Sequence, residues 1–279
     1  MTIMPNLFII GAGKCGTTTL FSWLSQHPEI YAAKEKEPHY YSVAFSNSSG
    51  PWGTLPHTST LAEYRALFQG ASSETLLMEA SASYLYYPGT AERIFRDCPG
   101  SRLIVLLRDP VERAISDYKM QRMLGIESRS LQRTIDEMYF PGTLEYLSQG
   151  LYSQQLRKYL DIFDQNDICI LIYEDFFSNV PSSFKKLLEW LHVNADCPIE
   201  LRQKYNVGNG KIPLNNTIFS FSKKIAPIFP ARYREMFKGL LTRDFTPTQT
   251  LLDWLVDFYA NDRRELESMI GVDLSCWRS

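Results

Sequence analysis

The chain has 279 residues, 44% of them hydrophobic and 22% charged, enough for a full core in one large domain or two small ones, which excludes a disulfide-stapled miniature and a disordered chain. Lys plus Arg (29) and Asp plus Glu (31) leave a net charge of −2, so no general basic field for nucleic acid exists and any anion site must be built locally. Apolar runs such as Leu103–Leu107 are far shorter than the roughly 20 residues of a membrane span, and five scattered cysteines without CxxC spacing or nearby histidines argue against zinc and disulfides and for a reducing cytoplasm.

In chain order, Leu7–Ile10 reads as a strand that begins after only six residues and runs into a glycine-bearing turn, so the chain is expected to start within its fold. A helix follows over Thr17–Gln26. Phe45–Thr60, rich in serine, glycine and proline, reads as a long surface loop of the lid type. Thr75–Met78 is the next strand. Arg102–Leu107 is apolar at every position from Leu103 on, as expected of a strand covered on both faces, and is placed at the centre of the sheet. Its helix, Pro110–Met123, has a well-marked start: Asp109 can cap, and Pro110 sits in the first turn where a missing N–H costs nothing. Gly125–Gly150 carries a weaker pattern, short helices around Pro141-Gly142 that would line a cleft. Ile168–Tyr173 is a strand and Ser182–Leu191 a helix. The last long helix, Thr248–Met269, places Leu251, Leu252, Leu255, Phe258 and Tyr259 on one stripe. The alternation specifies an α/β fold: a P-loop-like parallel sheet flanked by helices, a single domain over residues 1–279 with helical additions and no linker.

Two segments carry candidate chemistry. Leu7 to Thr19, LFIIGAGKCGTTT, is a strand, a glycine-rich turn and a helix start. Glycines let the backbone approach an anion, while N–H groups at the helix start, threonine hydroxyls and Lys14 converge on phosphate oxygens. The ATP-type loop GxxxxGK[ST] would put its lysine at position 17, where Thr17 stands; Gly11, Gly13 and Gly16 fit GxGxxG, a weak pattern alone. The alternative is a tight strand–helix turn with a solvated lysine. The second segment places Arg108 at a strand's carboxyl end, where α/β folds bind ligands, and Ser116 about two turns into the next helix. Its alternative is an Arg108 that merely pairs with Asp109 or Glu112.

The run Gly13 to Leu20, GKCGTTTL, resembles the 5′-phosphosulfate loop of sulfotransferases that use 3′-phosphoadenosine-5′-phosphosulfate (PAPS), in particular the heparan sulfate, carbohydrate and bacterial branch. Leu106 to Tyr118 is similar to that family's 3′-phosphate motif, which implies that Arg108 and Ser116 grip the 3′-phosphate. Lys34 to Tyr41, KEKEPHYY, resembles the segment after the second strand whose glutamate is the general base, a place taken by Glu37. His39 competes for that role, because histidine titrates near neutrality and related enzymes use it. Glu79 to Tyr84 resembles an EKSxxY element, but Ala80 replaces its lysine, which leaves Lys14 as the main cation at the transferring group; Glu79 is a further substrate contact on this reading. Asn206 to Lys211 is similar to a late loop that closes over the nucleotide, with Lys211 on the 3′-phosphate; a plain Gly/Asn turn is the alternative. Tyr173-Glu174-Asp175 and the helix ending near Trp277 extend the resemblance over most of the chain.

The resemblance implies in-line transfer of a sulfuryl group from PAPS to an acceptor hydroxyl, with the product adenosine 3′,5′-bisphosphate (PAP) and no metal. The donor would be held by Lys14, Cys15, Gly16, Thr17, Thr18, Thr19, Arg108, Ser116 and Lys211, and the catalytic candidates are Glu37, Lys14 and His39. The expected acceptor is a glycan, glycolipid or small molecule, with no nucleic acid and no transmembrane segment. Tyr40, Tyr41, Tyr84, Tyr86 and Tyr87 are placed to stack on it or to pack in the core. Basic residues at Lys223, Lys224, Arg232, Arg234, Lys238 and Arg243 suit an anionic acceptor, a membrane surface or a solvated face. Two rivals are a P-loop small-molecule kinase, against which the misplaced lysine counts, and a non-catalytic nucleotide-binding module, for which Ala80 counts.

Overall fold

Five strands, β1 (Leu7–Gly11), β2 (Ile30–Ala32), β3 (Leu76–Ala80), β4 (Arg102–Leu107) and β5 (Ile168–Ile172), form one parallel sheet of order β2-β3-β1-β4-β5. The computed structural model describes residues 3–42, 58–137, 145–201, 211–215, 218–219 and 239–278. β1 holds the middle place; β4, expected there, lies beside it between β1 and β5. Both are interior strands covered on two faces, and Leu7–Ile10 and Leu103–Leu107 are each 0% exposed. β3 extends two residues past its expected end, carrying Glu79 and Ala80 to the carboxyl edge of the sheet.

The helices are α1 (Thr17–Leu24), α2 (Leu61–Ala66), α3 (Thr90–Asp97), α4 (Pro110–Leu124), α5 (Leu131–Asp136), α6 (Glu145–Ser148), α7 (Tyr152–Leu160), α8 (Tyr173–Ser178), α9 (Val180–Trp190) and α10 (Gln249–Ile270). α4 starts where capping chemistry requires: Asp109 Oδ1 accepts from Val111 N at 2.8 Å and Pro110 occupies the first turn; Gly125, at φ 82°, ends the helix. α9 begins earlier than its apolar pattern, because Asn179 caps it from the Ser182 N–H at 3.4 Å. Tyr173, expected as the end of a strand, opens α8 instead. The weak Gly125–Gly150 stretch holds the short helices α5 and α6, while Pro141-Gly142 and most of Phe45–Thr60 lie outside the described residues.

Two apolar clusters result. The main one surrounds the sheet, with Trp23 fully buried against Phe177 and Phe184 at ring distances of 5.8 and 5.9 Å. The smaller one joins α4, α5 and α10 through Val111, Ile115, Tyr118, Leu251, Leu255 and Tyr259. On α10, Leu251, Leu255 and Tyr259 are buried as the stripe predicts, and Leu252 and Phe258 flank them. Asp262 of α10 accepts from the Tyr152 and Ser153 N–H groups at 2.7 and 3.1 Å, which caps α7 and fixes Tyr152 beneath the carboxyl edge. β6 (Lys211–Pro213) and β7 (Thr242–Asp244) form an antiparallel pair packed on α4.

Candidate active site

The turn after β1 closes on its neighbours with little room. A Cβ at Gly11 would fall 2.7 Å from Leu85 Cβ, and one at Gly16, where φ is +91°, 3.0 Å from the Phe177 ring and 3.3 Å from that of Tyr173. Gly16 opens α1 with no capping side chain. Thr17 and Thr19 turn inwards, 5% and 3% exposed, while Lys14, Gly16 and Thr18 reach the surface. Cys15 is fully buried, its Sγ 3.7 Å from both Tyr152 Oη and the Gly13 carbonyl of the turn, and burial pushes its thiol up to about 11.

Lys14 Nζ meets the Met120 thioether at 3.3 Å. Burial lowers its pKa from the ordinary lysine value, opposed by the carboxylate of Asp117, which pairs with Arg113 at 3.1 Å in a fully buried bridge inside α4. A lysine held mainly by a thioether, above a helix start that lacks a cap, is a cation placed to receive an anion.

On the adjacent strand end, Arg108 lies over the Tyr173 ring at 4.9 Å and 3.6 Å from Glu112 Oε2. Its Nε is buried without a hydrogen-bond partner among the described residues. Glu112 is shared with Arg278 at 2.6 Å, so Arg108 is not consumed by that contact. Tyr152 Oη donates to the Arg108 carbonyl at 3.0 Å and also touches Cys15, tying the two anion elements together. Ser116 is half-buried, and its hydroxyl has no hydrogen-bond partner among the described residues. Lys211 opens β6, while residues 206–210 and the basic residues from Lys223 to Lys238 lie outside the described residues; Arg243 is in β7.

Glu37 and His39 occupy the turn beyond β2. Glu37 N donates to Ala80 O at 2.8 Å, and Glu37 Oε2 accepts from Ala82 N at 2.8 Å while Oε1 pairs with Lys36. His39 lies behind: its ring is 6% exposed, Nδ1 is 2.7 Å from Ser83 Oγ, and Nε2 is 3.7 Å from Glu37 Oε2. Among the described residues, the non-glycine residues with positive φ are Lys14 (72°), Glu37 (63°), His39 (53°) and His192 (56°). His192 follows α9, where Val193 N bonds back to Leu188 O at 3.2 Å, an ordinary helix end. No helix end explains the other three, which are the catalytic candidates, and such strain collects where side chains must be aimed.

Glu79 does not reach the cleft. It is 0% exposed, accepting from Ser81 Oγ at 2.6 Å and Tyr64 Oη at 3.0 Å, and burial raises its pKa to about 7. The substrate-contact reading of Glu79 is thereby corrected: Ser81 also accepts from His39 N at 3.1 Å, so the carboxyl supports the turn from below. Tyr41, Tyr64 and Tyr84 are core, and Tyr40 stacks on Tyr64 at 4.3 Å. Sequence reasoning missed three neighbours of the turn: Tyr173, Phe177 and Gln149. The last is 5% exposed, its Oε1 lies 3.4 Å from a Cβ built on Gly13, and its Nε2 is buried without a partner among the described residues. The Tyr173-Glu174-Asp175 run carried a signal; Gln149 carried none.

The arrangement lies at the carboxyl ends of adjacent parallel strands, where α/β folds bind ligands. The model of the sulfotransferase family matches residues 5–196, and the chain belongs to that family. It is 27% identical over 283 residues to carbohydrate sulfotransferase 15 of Homo sapiens, covering 81% of this chain and 50% of that one. It is 33% identical over 190 residues to heparan sulfate glucosamine 3-O-sulfotransferase 6 of Homo sapiens, covering 67% and 52%. The chain therefore spans about half the length of the curated relatives it matches. The crystal structure of a sulfotransferase from Alicyclobacillus acidocaldarius superposes with a TM-score of 0.77 at 28% identity, covering 99% of this chain and 100% of that one. No helix among the described residues is long and apolar enough to cross a membrane.

Proposed function

We propose that the protein transfers a sulfuryl group from PAPS to a hydroxyl of a carbohydrate-type acceptor. The observation that carries the reading is the left-handed backbone of Lys14, Glu37 and His39, three residues on two separate turns at one edge of the sheet. The residues fit the donor: Gly16 leaves a cradle that a Cβ would fill, Lys14 lacks an acidic hydrogen-bond partner, and the Arg108 Nε is orphaned. The carbohydrate sulfotransferases among the relatives support the acceptor class.

The donor supplies an activated sulfuryl group, whose bond to the 5′-phosphate oxygen breaks as the acceptor oxygen bonds to sulfur. Lys14 and the first-turn N–H groups of α1 hold the phosphate oxygens on which negative charge grows. Arg108 and Ser116 bind the 3′-phosphate at the end of β4 and on α4, with Lys211 assigned to the same group. Glu37 takes the hydroxyl proton. Its Oε2 is already oriented by Ala82 N, and His39, 3.7 Å behind, is a positioning residue for it. The kinase alternative loses ground because a lysine at 17 is required and Lys14 stands elsewhere. A cytoplasmic setting belongs to the same proposal, supported by five free thiols, and cell fractionation tests it.

The test is calorimetric titration with PAP, with ATP plus magnesium for comparison. Micromolar PAP binding that Arg108→Ala weakens at least about tenfold is the expected result, the range for a lost charged hydrogen-bonding group. ATP binding without PAP binding refutes the proposal.

A further inference from the structure

The stretch after α10 folds back over the end of β4. Gly271, at φ 64°, ends the helix, and Glu267 Oε1 accepts from the Leu274 N–H at 2.9 Å. Leu274 and Trp277 are 0% and 2% exposed, and Trp277 N closes the turn onto Leu274 O at 2.9 Å. The Trp277 ring lies 6.0 Å from that of Tyr152, whose hydroxyl donates to the Arg108 carbonyl. Its Nε1 donates to Glu174 Oε2 at 2.9 Å, while Glu174 Oε1 accepts from Asp109 N at 3.2 Å. The peptide joining Arg108 to Asp109 is thus held at its oxygen and at its nitrogen by two side chains that Trp277 touches. Arg278 N then donates to Asp109 Oδ2 at 3.1 Å, and its guanidinium makes two bonds to Glu112 Oε1, at 3.0 and 2.6 Å.

We infer that Arg278 is a positioning residue for donor binding: it satisfies the Glu112 carboxylate and so keeps the Arg108 guanidinium available to the 3′-phosphate. The inference rests on the proposed donor site and deepens it. Glu112 stands one helical turn after Arg108, and among the described residues its side chain pairs with Arg108 and Arg278 alone. The two contacts are unequal. Arg278 meets Oε1 at full hydrogen-bonding distance, whereas Arg108 stays 3.6 Å from Oε2, beyond the usual charge-assisted bond. With Arg278 neutralised, Glu112 would have Arg108 as its one cation and would compete with a phosphate for it, while its own charge would repel the incoming anion.

The guanidinium acts separately from the strap that carries it. Arg278 is 48% and Glu112 33% exposed, so their ion pair is screened by solvent and adds little to folding stability. Trp277 and the Arg278 N–H make their contacts without the Arg278 side chain. Arg278→Gln therefore keeps the fold and removes the counter-charge of Glu112.

The experiment uses the full chain in calorimetric titrations at low salt with two probes, PAP and inorganic phosphate, and Arg108→Ala marks the part of phosphate binding that Arg108 supplies. Arg278→Gln is expected to weaken PAP about tenfold, the order of one charged contact, and to weaken the Arg108-dependent part of phosphate binding, with an unchanged urea midpoint. Glu112→Gln is expected to bind PAP at least as tightly as the wild type. Adding Glu112→Gln to Arg278→Gln should restore affinity to within about twofold of Glu112→Gln alone, since the carboxylate to be neutralised is gone. Wild-type affinity in Arg278→Gln overturns the inference. So does a double variant as weak as Arg278→Gln, because a merely structural loss is not rescued at Glu112. The same loss and rescue with phosphate in a protein that does not bind PAP supports the role of Arg278 and overturns the donor reading, and binding of neither probe through Arg108 overturns both.

Discussion

Around Gly13–Thr19 and Arg108 the site consists of a tight turn and cations whose hydrogen-bonding capacity the protein does not exhaust, whereas around Glu37–Tyr41 nearly every polar group has a partner. Lys14 leans on a thioether and the Arg108 Nε has no partner among the described residues. Glu37, His39, Ser42, Ser81 and Ser83 instead form a connected network, with the buried Glu79 as its anchor. One region is preorganised by leaving capacity open for an anion, the other by locking a carboxylate in place through strained backbone. Donor-side changes should therefore act on binding, and changes on the other side on turnover or stability.

The largest effect expected from this contrast is in Glu37→Gln. Turnover should fall about 10²–10⁴-fold, the usual contribution of a general base, with PAP affinity unchanged. Steady-state rates with PAPS and an acceptor, alongside PAP calorimetry, check this; full activity would move the base role to His39 or elsewhere.

Next comes Glu79→Gln. Because burial raises this carboxyl to about 7, the folded state binds its proton more tightly than the unfolded chain. The stability cost is absent below the ordinary glutamate range, grows as pH rises towards 7 and is complete above it, up to about 3 kcal/mol for a shift of that size. Urea midpoints at pH 5 and pH 8 should fall with pH in the wild type and lose that component in the variant. Parallel pH dependences in the two proteins would contradict the assignment.

The smallest effect is a pH dependence on the donor side. Burial lowers the Lys14 pKa, and only the ammonium form binds an anion strongly. PAP affinity should therefore decline on raising pH through the lowered Lys14 pKa, earlier than for an ordinary lysine. In Lys14→Arg the decline should vanish between pH 7 and 10, since guanidinium stays charged. Matching profiles in calorimetric titrations would exclude Lys14 as the titrating group.

Much of the fold was legible because its signals are local. The capping pair Asp109-Pro110 marked the start of α4, the unbroken apolar run of β4 marked a doubly covered strand, and the stripe of α10 marked its buried face. The position of β4 beside β1 was not legible, because two strands buried on both faces carry the same apolar pattern wherever they stand in the sheet.

The sequence by itself determined the phosphate-type turn from Gly13 to Thr19, the arginine at a strand's carboxyl end and the glutamate after β2, because spacing and residue chemistry are properties of the chain alone. Tertiary structure decided which side chains face the site. It buried Glu79 beneath the Glu37 turn, set His39 behind Glu37, brought Gln149 over Gly13 and placed Tyr173 and Phe177 against Arg108 and Gly16. Those contacts join residues up to about 160 positions apart, since Tyr173 and Phe177 meet the turn at Gly16. No local pattern encodes them, because a side chain's partner and exposure depend on which distant segments the core brings alongside it.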